Sequence, residues 1–480
     1  MIKKFYLLYF LATIFFFENC SKAYEIPDDL VVQDFIWKGL NAYYLYQDQV
    51  EDLSDRRFNS DQQLNSYLKT FTSPSNLFNS LVLSSDIKSR LIEDYTSLEE
   101  PNIRSEKGFQ YGVIVEPGTT DNLLCYVLYN LPSSDAKVKG LDRGDFFNAV
   151  NGTQLTKTNF GNLLVTSSSN AFTLTMVNFD GTTVTPTGNS ITVNNETLVS
   201  PPIFKEELIP LNGEDIGYLI YNNDFSNTYL NDLNNTILNF KNQSVTKLIL
   251  DLRYNIGGGG FARNIAKLGA MLTEQSTDEI FIKEQWNTKA QTWFELNQPD
   301  SLITKFPESL HSTTTINSIN LTDIYIILNG ENFSGSSAIE LLINSLKPYM
   351  KVHIIGNQTS GNNLGAITLY NSADYNFALR NNTHTFALQP KVLTFLNKND
   401  QSYENGFSST LGFCNTENIL NLGTLGNSSE PILNRILDYI SNGNLGSSNC
   451  NSDNYEHFLN SISREPDLGV FIKQTLPNTL

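Results

Sequence analysis

The chain has 480 residues, 40% of them hydrophobic, which is enough for two or three domains with proper cores. Only 17% are charged, yet the net charge is −18. Such a surface repels phosphate backbones and gives no electrostatic pull toward anionic lipid headgroups, so nucleic acid is excluded as a partner. Histidine is scarce, with four in total. None pairs with carboxylates at ligand spacing, so neither a metal nor another cofactor is expected.

Lys3 and Lys4 precede an apolar run from Phe5 to Phe17, too short for a comfortable membrane span but suited to the core of a signal peptide over residues 1–20. Cys20 follows at once and resembles the lipidated cysteine of bacterial lipoproteins, although Phe17 and Asn19 depart from the usual Leu and small residue before it. That resemblance implies an exported protein of the bacterial cell envelope, lipid-anchored to the outer membrane through Cys20. The other reading is an ordinary cleaved signal with a bystander cysteine. In an oxidising compartment Cys414 and Cys450 are the candidate disulfide pair, while Cys125, inside Leu123-Leu124-Cys125-Tyr126-Val127-Leu128, reads as a core thiol.

Residues 26–100 read as helical, with Val31, Val32, Phe35, Ile36, Leu40 and Tyr43-Tyr44 forming an apolar stripe of core residues. From 106 to 197 short strands take over: Tyr111–Val115, Cys125–Leu128 and the alternating Phe172–Val177. Between them Gly140-Leu141-Asp142-Arg143-Gly144-Asp145 and Val150-Asn151-Gly152 resemble the centre of a PDZ domain, a fold that binds extended peptide ends by strand addition. From 200 to 440 the pattern is α/β. Ile216–Tyr221, Leu248–Leu252, Ile324–Leu328 and Val352–Ile355 are apolar strands that alternate with helices, so a mainly parallel sheet covered on both faces is expected. Residues 441–480 form an Asn/Ser-rich tail, with a short helix expected near Leu468–Ile472.

Three glycine-containing segments follow buried strands: Asp251-Leu252-Arg253-Tyr254-Asn255-Ile256-Gly257-Gly258, then Asn329-Gly330-Glu331-Asn332-Phe333-Ser334-Gly335-Ser336-Ser337-Ala338-Ile339-Glu340, then Gly356-Asn357-Gln358-Thr359-Ser360-Gly361-Asn362-Asn363-Leu364-Gly365. Loops at the carboxyl ends of parallel strands converge on one edge of a sheet. Ser337 at a helix N-terminus suits either a nucleophile or, with Glu340 three residues on, a capping box.

Taken in order, these segments resemble the carboxyl-terminal-processing, or tail-specific, serine peptidase family, whose pattern is Asp-Leu-Arg-x-Asn-x-Gly-Gly, Ser-Ala-Ser-Glu, then Thr-x-Gly-Lys. Asn362 follows Ser337 by the family's own 25 residues (362 − 337). Ala42-Tyr43-Tyr44-Leu45-Tyr46, Ile216-Gly217-Tyr218-Leu219, Leu388-Gln389-Pro390 and Tyr403-Glu404-Asn405-Gly406-Phe407 look like its Bacteroidetes lipoprotein branch. The resemblance implies an α/β core of ClpP/crotonase-like type, an N-terminal helical domain and an inserted PDZ-like β domain. It further implies Ser337 as nucleophile and an oxyanion pocket from the backbone of Gly257, Gly258 and Ala338. Polypeptide or peptide ends would be the partners. The chain departs from the pattern where chemistry needs it: Asn362 replaces the lysine base, and Ala366 stands where relatives place the residue that orients it. An amide nitrogen has no available lone pair and cannot serve as a base near neutral pH. Two readings follow, a polypeptide-binding protein with lost or weakened proteolysis and a working serine endopeptidase with a displaced base.

Overall fold

The computed structural model describes residues 26–99, 107–166, 169–196, 198, 201–223, 225–255, 260–311, 313–328, 336–410, 417–443, 455–461, 469–472 and 476. Cys20, Gly257, Gly258, Cys414 and Cys450 lie outside them, and with them the proposed anchor, two of the oxyanion donors and the proposed disulfide.

The chain opens with α1 (Val31–Tyr43), α2 (Asp61–Leu68) and α3 (Pro74–Leu81). Ser60 and Ser73 cap the second and third by accepting a bond from the N–H three residues onward, and Pro74 takes the first helical position, where its missing N–H costs nothing. The aromatic stripe is core: Phe35, Tyr43 and Tyr44 are buried in one cluster with side chains of the α/β region. The short strand Arg90–Ile92 ties this part to Ala387–Gln389 by antiparallel pairing.

An antiparallel sheet follows, built from β1 (Phe109–Val115), β2 (Leu123–Asn130), β3 (Phe146–Val150), β4 (Ala171–Phe179) and β5 (Val184–Asn194) in that spatial order. Its own cluster includes Cys125, a buried free thiol whose pKa burial pushes up. The larger unit comprises β6 (Ile203–Leu211), β7 (Glu214–Tyr221), α4 (Leu230–Asn242), β8 (Lys247–Asp251), α5 (Ala262–Thr273), β9 (Ile280–Trp286), β10 (Asp323–Ile327), α6 (Ser337–Leu346), β11 (Lys351–Ile355), β12 (Leu364–Ala366), β13 (Lys391–Leu396) and α7 (Pro431–Asn442). One sheet runs β11-β10-β8-β7-β6, parallel except for the β6–β7 hairpin. Leu248 and Leu250 pack in the cluster containing α4–α6, whereas Ile249, between them, packs in the one containing α7. Both faces are therefore covered, as the unbroken apolar strands require.

A second sheet, not anticipated from sequence, joins the strand Ile303–Lys305 to β9, β13, β12 and β15 (Val470–Phe471). The expected C-terminal helix is thus a strand. A five-residue apolar stretch fits either period, and here pairing with β12 decides. A further tail strand, β14 (His457–Asn460), pairs with β1.

One buried ionic cluster joins the antiparallel sheet to the α/β unit. Arg253 is 1% exposed; its guanidinium donates to Asp251, to Glu417 at 3.0 Å and to Glu430 at 2.9 Å. Arg143, from the Gly-Leu-Asp-Arg turn, donates to Tyr254 Oη and Glu417 at 2.5 Å each, and to the carbonyls of Leu128, Leu422 and Gly423. Glu430 also caps α7 through the Leu433 N–H. Burial alone would push the Glu417 carboxyl up, but Arg143 and Arg253 outweigh it and hold the pKa at about 2. A folded-state pKa below the unfolded value gives stability that is present above about pH 4.3 and lost as pH falls toward 2. Urea denaturation should therefore show stability falling by a few kcal/mol between about pH 4.5 and 2. The Glu417→Gln protein should have a flatter profile there, and an unchanged profile would show that the cluster does not carry this dependence.

Candidate active site

Asp251, Ile327 and Ile355 are aligned at the carboxyl ends of adjacent parallel strands, so the three loops anticipated from sequence do leave the sheet at one edge. The first continues through buried Leu252, Arg253, Tyr254 and Asn255. The Asn255 amide donates to the carbonyls of Tyr221 and Asn223, which fixes the turn before the glycines. Gly260 lies against the first turn of α6: a Cβ on Gly260 would lie 3.2 Å from Ala338 Cβ.

The second loop enters α6. Its cap is Ser336, whose hydroxyl accepts from the Ile339 N–H at 3.4 Å. The N-cap is thus Ser336 and not Ser337. Ser337 is instead the first helical residue, 1% exposed, where the helix dipole favours a developing negative charge. Ala338, the described oxyanion candidate, is equally buried.

Glu340 has a different task. Its carboxylate, wholly buried, accepts from the backbone N–H of Gly361 at 2.6 Å, from that of Asn362 at 2.7 Å and from the Ser360 hydroxyl at 3.3 Å. Residues three apart share a helix face, so this carboxylate sits one turn from Ser337 and fixes position 362 relative to it. Bonds to a buried charge contribute roughly 1.5–3 kcal/mol each. Sequence reasoning missed the role because the same Ser-x-x-Glu spacing serves a cap or an outward contact.

The third loop is clasped from behind by the Tyr403–Phe407 segment. Thr359 N–H donates to the Phe407 carbonyl at 3.0 Å, and Phe407 N–H returns a bond to Thr359 Oγ1 at 2.7 Å. Gly361 has φ +80° and Gly406 φ +68°; a Cβ on either would meet the other segment's backbone at 2.2 and 2.1 Å. Backbone in such contact, and in the left-handed region, admits only glycine. Asn362 emerges from this clasp 6% exposed, and Ala366 ends β12 wholly buried.

Lys347, His353 and His384 are engaged with other side chains. Lys347 lies at the C-terminal end of α6 with its ammonium 4.4 Å from the Phe407 ring. His353 hydrogen-bonds Asp323 at 2.9 Å and stacks on Tyr325; His384 bonds Asn371. Lys391, not singled out from sequence, is wholly buried on β13 directly opposite Ala366. Beside Asn362 a cleft of about 490 Å³ opens between the N-terminal segment and the core, lined by Leu45, Asp48, Gly361, Asn363, Leu364 and Glu404 among others. Among the described residues no group of three His, Cys, Asp or Glu side chains could hold a metal ion.

Comparison with known proteins meets this geometry. Residues 31–96 match the Peptidase S41 N-terminal domain, and residues 215–402, which hold the three loops, match Peptidase family S41. No protein of curated function matches the chain. The fold is similar to that of a provisionally named S41 protease from Bacteroides fragilis NCTC 9343, with a TM-score of 0.64 and 24% identity over 85% of this chain and 97% of that one. The photosystem II D1 C-terminal processing protease aligns at a TM-score of 0.43 and 14% identity, covering 83% of this chain and 95% of its own. With the two family matches together spanning more than half of its residues and its three loops in the family's order, the chain belongs to the carboxyl-terminal-processing peptidase family S41.

Proposed function

We propose that this protein binds extended polypeptide at an S41 site whose proteolytic chemistry has been lost or strongly weakened. The observation that carries the reading is Asn362. Glu340 and the Thr359–Phe407 clasp hold that position as a base would need to be held, and the side chain there is an amide. In the family mechanism the Ser337 hydroxyl would pass its proton to a neutral lysine, attack a peptide carbonyl and leave the oxyanion to backbone N–H groups. Without a base of that kind the attack stalls. Loss of a general base costs roughly 10²–10⁴-fold, and in tightly coupled pairs about 10⁶. The cleft beside Asn362 and the antiparallel sheet, which we take as PDZ-like, supply surfaces for an extended chain without requiring that it be cut.

A second reading, retained proteolysis, is favoured by Lys391, a fully buried lysine opposite the base-orienting position. The two readings separate in one experiment on unfolded casein. With the base lost, the wild-type protein leaves casein intact, and Asn362→Lys raises hydrolysis at least about tenfold above background. Robust wild-type cleavage that Lys391→Met abolishes would overturn the first reading in favour of the second.

We also place the protein in the bacterial cell envelope, anchored by acyl chains on Cys20, on the strength of the Lys3–Phe17 signal pattern. Metabolic labelling with an alkyne fatty acid in a bacterial host should mark the wild-type chain and not Cys20→Ser. Equal labelling of both, or of neither, would remove the anchor.

A further inference from the structure

The C-terminal tail adds to the molecule as a ligand would. β14 lies antiparallel on the outer edge of β1, with Gly112 opposite Asn460, Val113 opposite Leu459 and Ile114 opposite His457. The Val115 N–H donates to the Glu456 carbonyl at 2.8 Å, and the Ser461 N–H to the Tyr111 carbonyl at 2.7 Å. The Ser461 hydroxyl accepts from the Tyr111 N–H at 2.7 Å and donates to Gln110 Oε1 at 2.6 Å. Beside β1, Phe458 meets Phe160 edge-on, ring centroids 5.8 Å apart, and Phe160 in turn meets Tyr111 edge-on. Lys157 holds Glu456 at 2.9 Å. Main-chain bonds to a sheet edge plus a side chain seated on the opposite wall is the arrangement by which an edge strand receives an extended peptide.

Two features separate this from ordinary sheet closure. A strand that completes a core buries its apolar side chains, yet Phe458 and Leu459 are 39% and 47% exposed, among the large hydrophobic residues left open to solvent. The tail then returns to the other functional region. Val470–Phe471 pairs parallel with β12, Phe471 N–H donates to the Gly260 carbonyl and Ile472 N–H to the Ala366 carbonyl, each at 3.0 Å. One tail thus touches both the edge of β1 and the strand that follows Asn362.

We infer that residues 455–461 occupy the β1 edge, beside Phe160, as an internal competitor of the extended polypeptide that this groove would otherwise receive. This rests on the polypeptide-binding reading. An outside chain must displace β14, so its apparent affinity is reduced by the fraction of molecules in which the groove is open. A groove open about one-tenth of the time weakens binding about tenfold.

The test is fluorescence anisotropy with a labelled peptide of the sequence Tyr455–Ser461, titrated with the full-length protein. Leu459→Pro removes an N–H from the middle of β14 at an exposed position, and Phe458→Ala removes the ring from the groove without altering the backbone. Both variants should bind the peptide about tenfold more tightly than the wild type, and adding Phe160→Ala should reverse the gain. Equal affinity in wild type and both variants overturns the internal competition, and if unfolded casein still binds, polypeptide binding itself survives. Absence of both peptide and casein binding overturns the two together.

Discussion

The buried carboxylate of Glu340 is the interaction on which the site depends. It belongs to α6, the helix that begins at Ser337, and it takes two backbone N–H groups from the loop that carries Asn362. A charge buried to this degree is tolerated only when its hydrogen-bonding capacity is filled, so the helix and the loop cannot drift apart without exposing an unpaired carboxylate. The start of the helix and the loop at position 362 are therefore held together by a side chain one turn beyond Ser337. On the proposed reading, a replacement at 362 alters reactivity while these bonds, made by the loop backbone, keep the scaffold in place.

A second buried charge cluster does the same at larger scale. Arg253 follows β8 closely and Arg143 belongs to the antiparallel-sheet domain, and both share Glu417. The turn between the last strand residue and the glycine segment is thus braced by the neighbouring domain, and the position of that domain is tied to the loop that turns back against Ala338. Glu430 extends the cluster to the start of α7, which covers one face of the parallel sheet.

Much of this architecture was legible because buried parallel strands are apolar on both faces. Leu248-Ile249-Leu250 and Ile324-Tyr325-Ile326-Ile327 admit no other reading once helices flank them, and their loops then fall on one edge. The second sheet was hidden because β12 has three residues, too few for any period. Val184–Asn194 was missed since its exposed, Thr- and Asn-rich strand buries little. At the site, the spacing of Ser337 and Asn362 was readable, but the direction of the Glu340 side chain was not, because a cap and a loop clamp share one spacing. Lys391 was overlooked for a related reason: a lysine on a strand reads as solvent-facing, and only pairing across to Ala366 reveals its burial. Arg143 and Glu417 are 274 residues apart, beyond any local pattern.

Loss of proteolysis and its retention differ in whether Ser337 is activated by a base. A fluorophosphonate probe reports that directly, since it forms a covalent bond only with an activated serine. With the base lost, the wild-type protein shows no labelling above the Ser337→Ala background, and labelling becomes clear once Asn362→Lys restores an amine. Strong wild-type labelling that Ser337→Ala abolishes would contradict that loss.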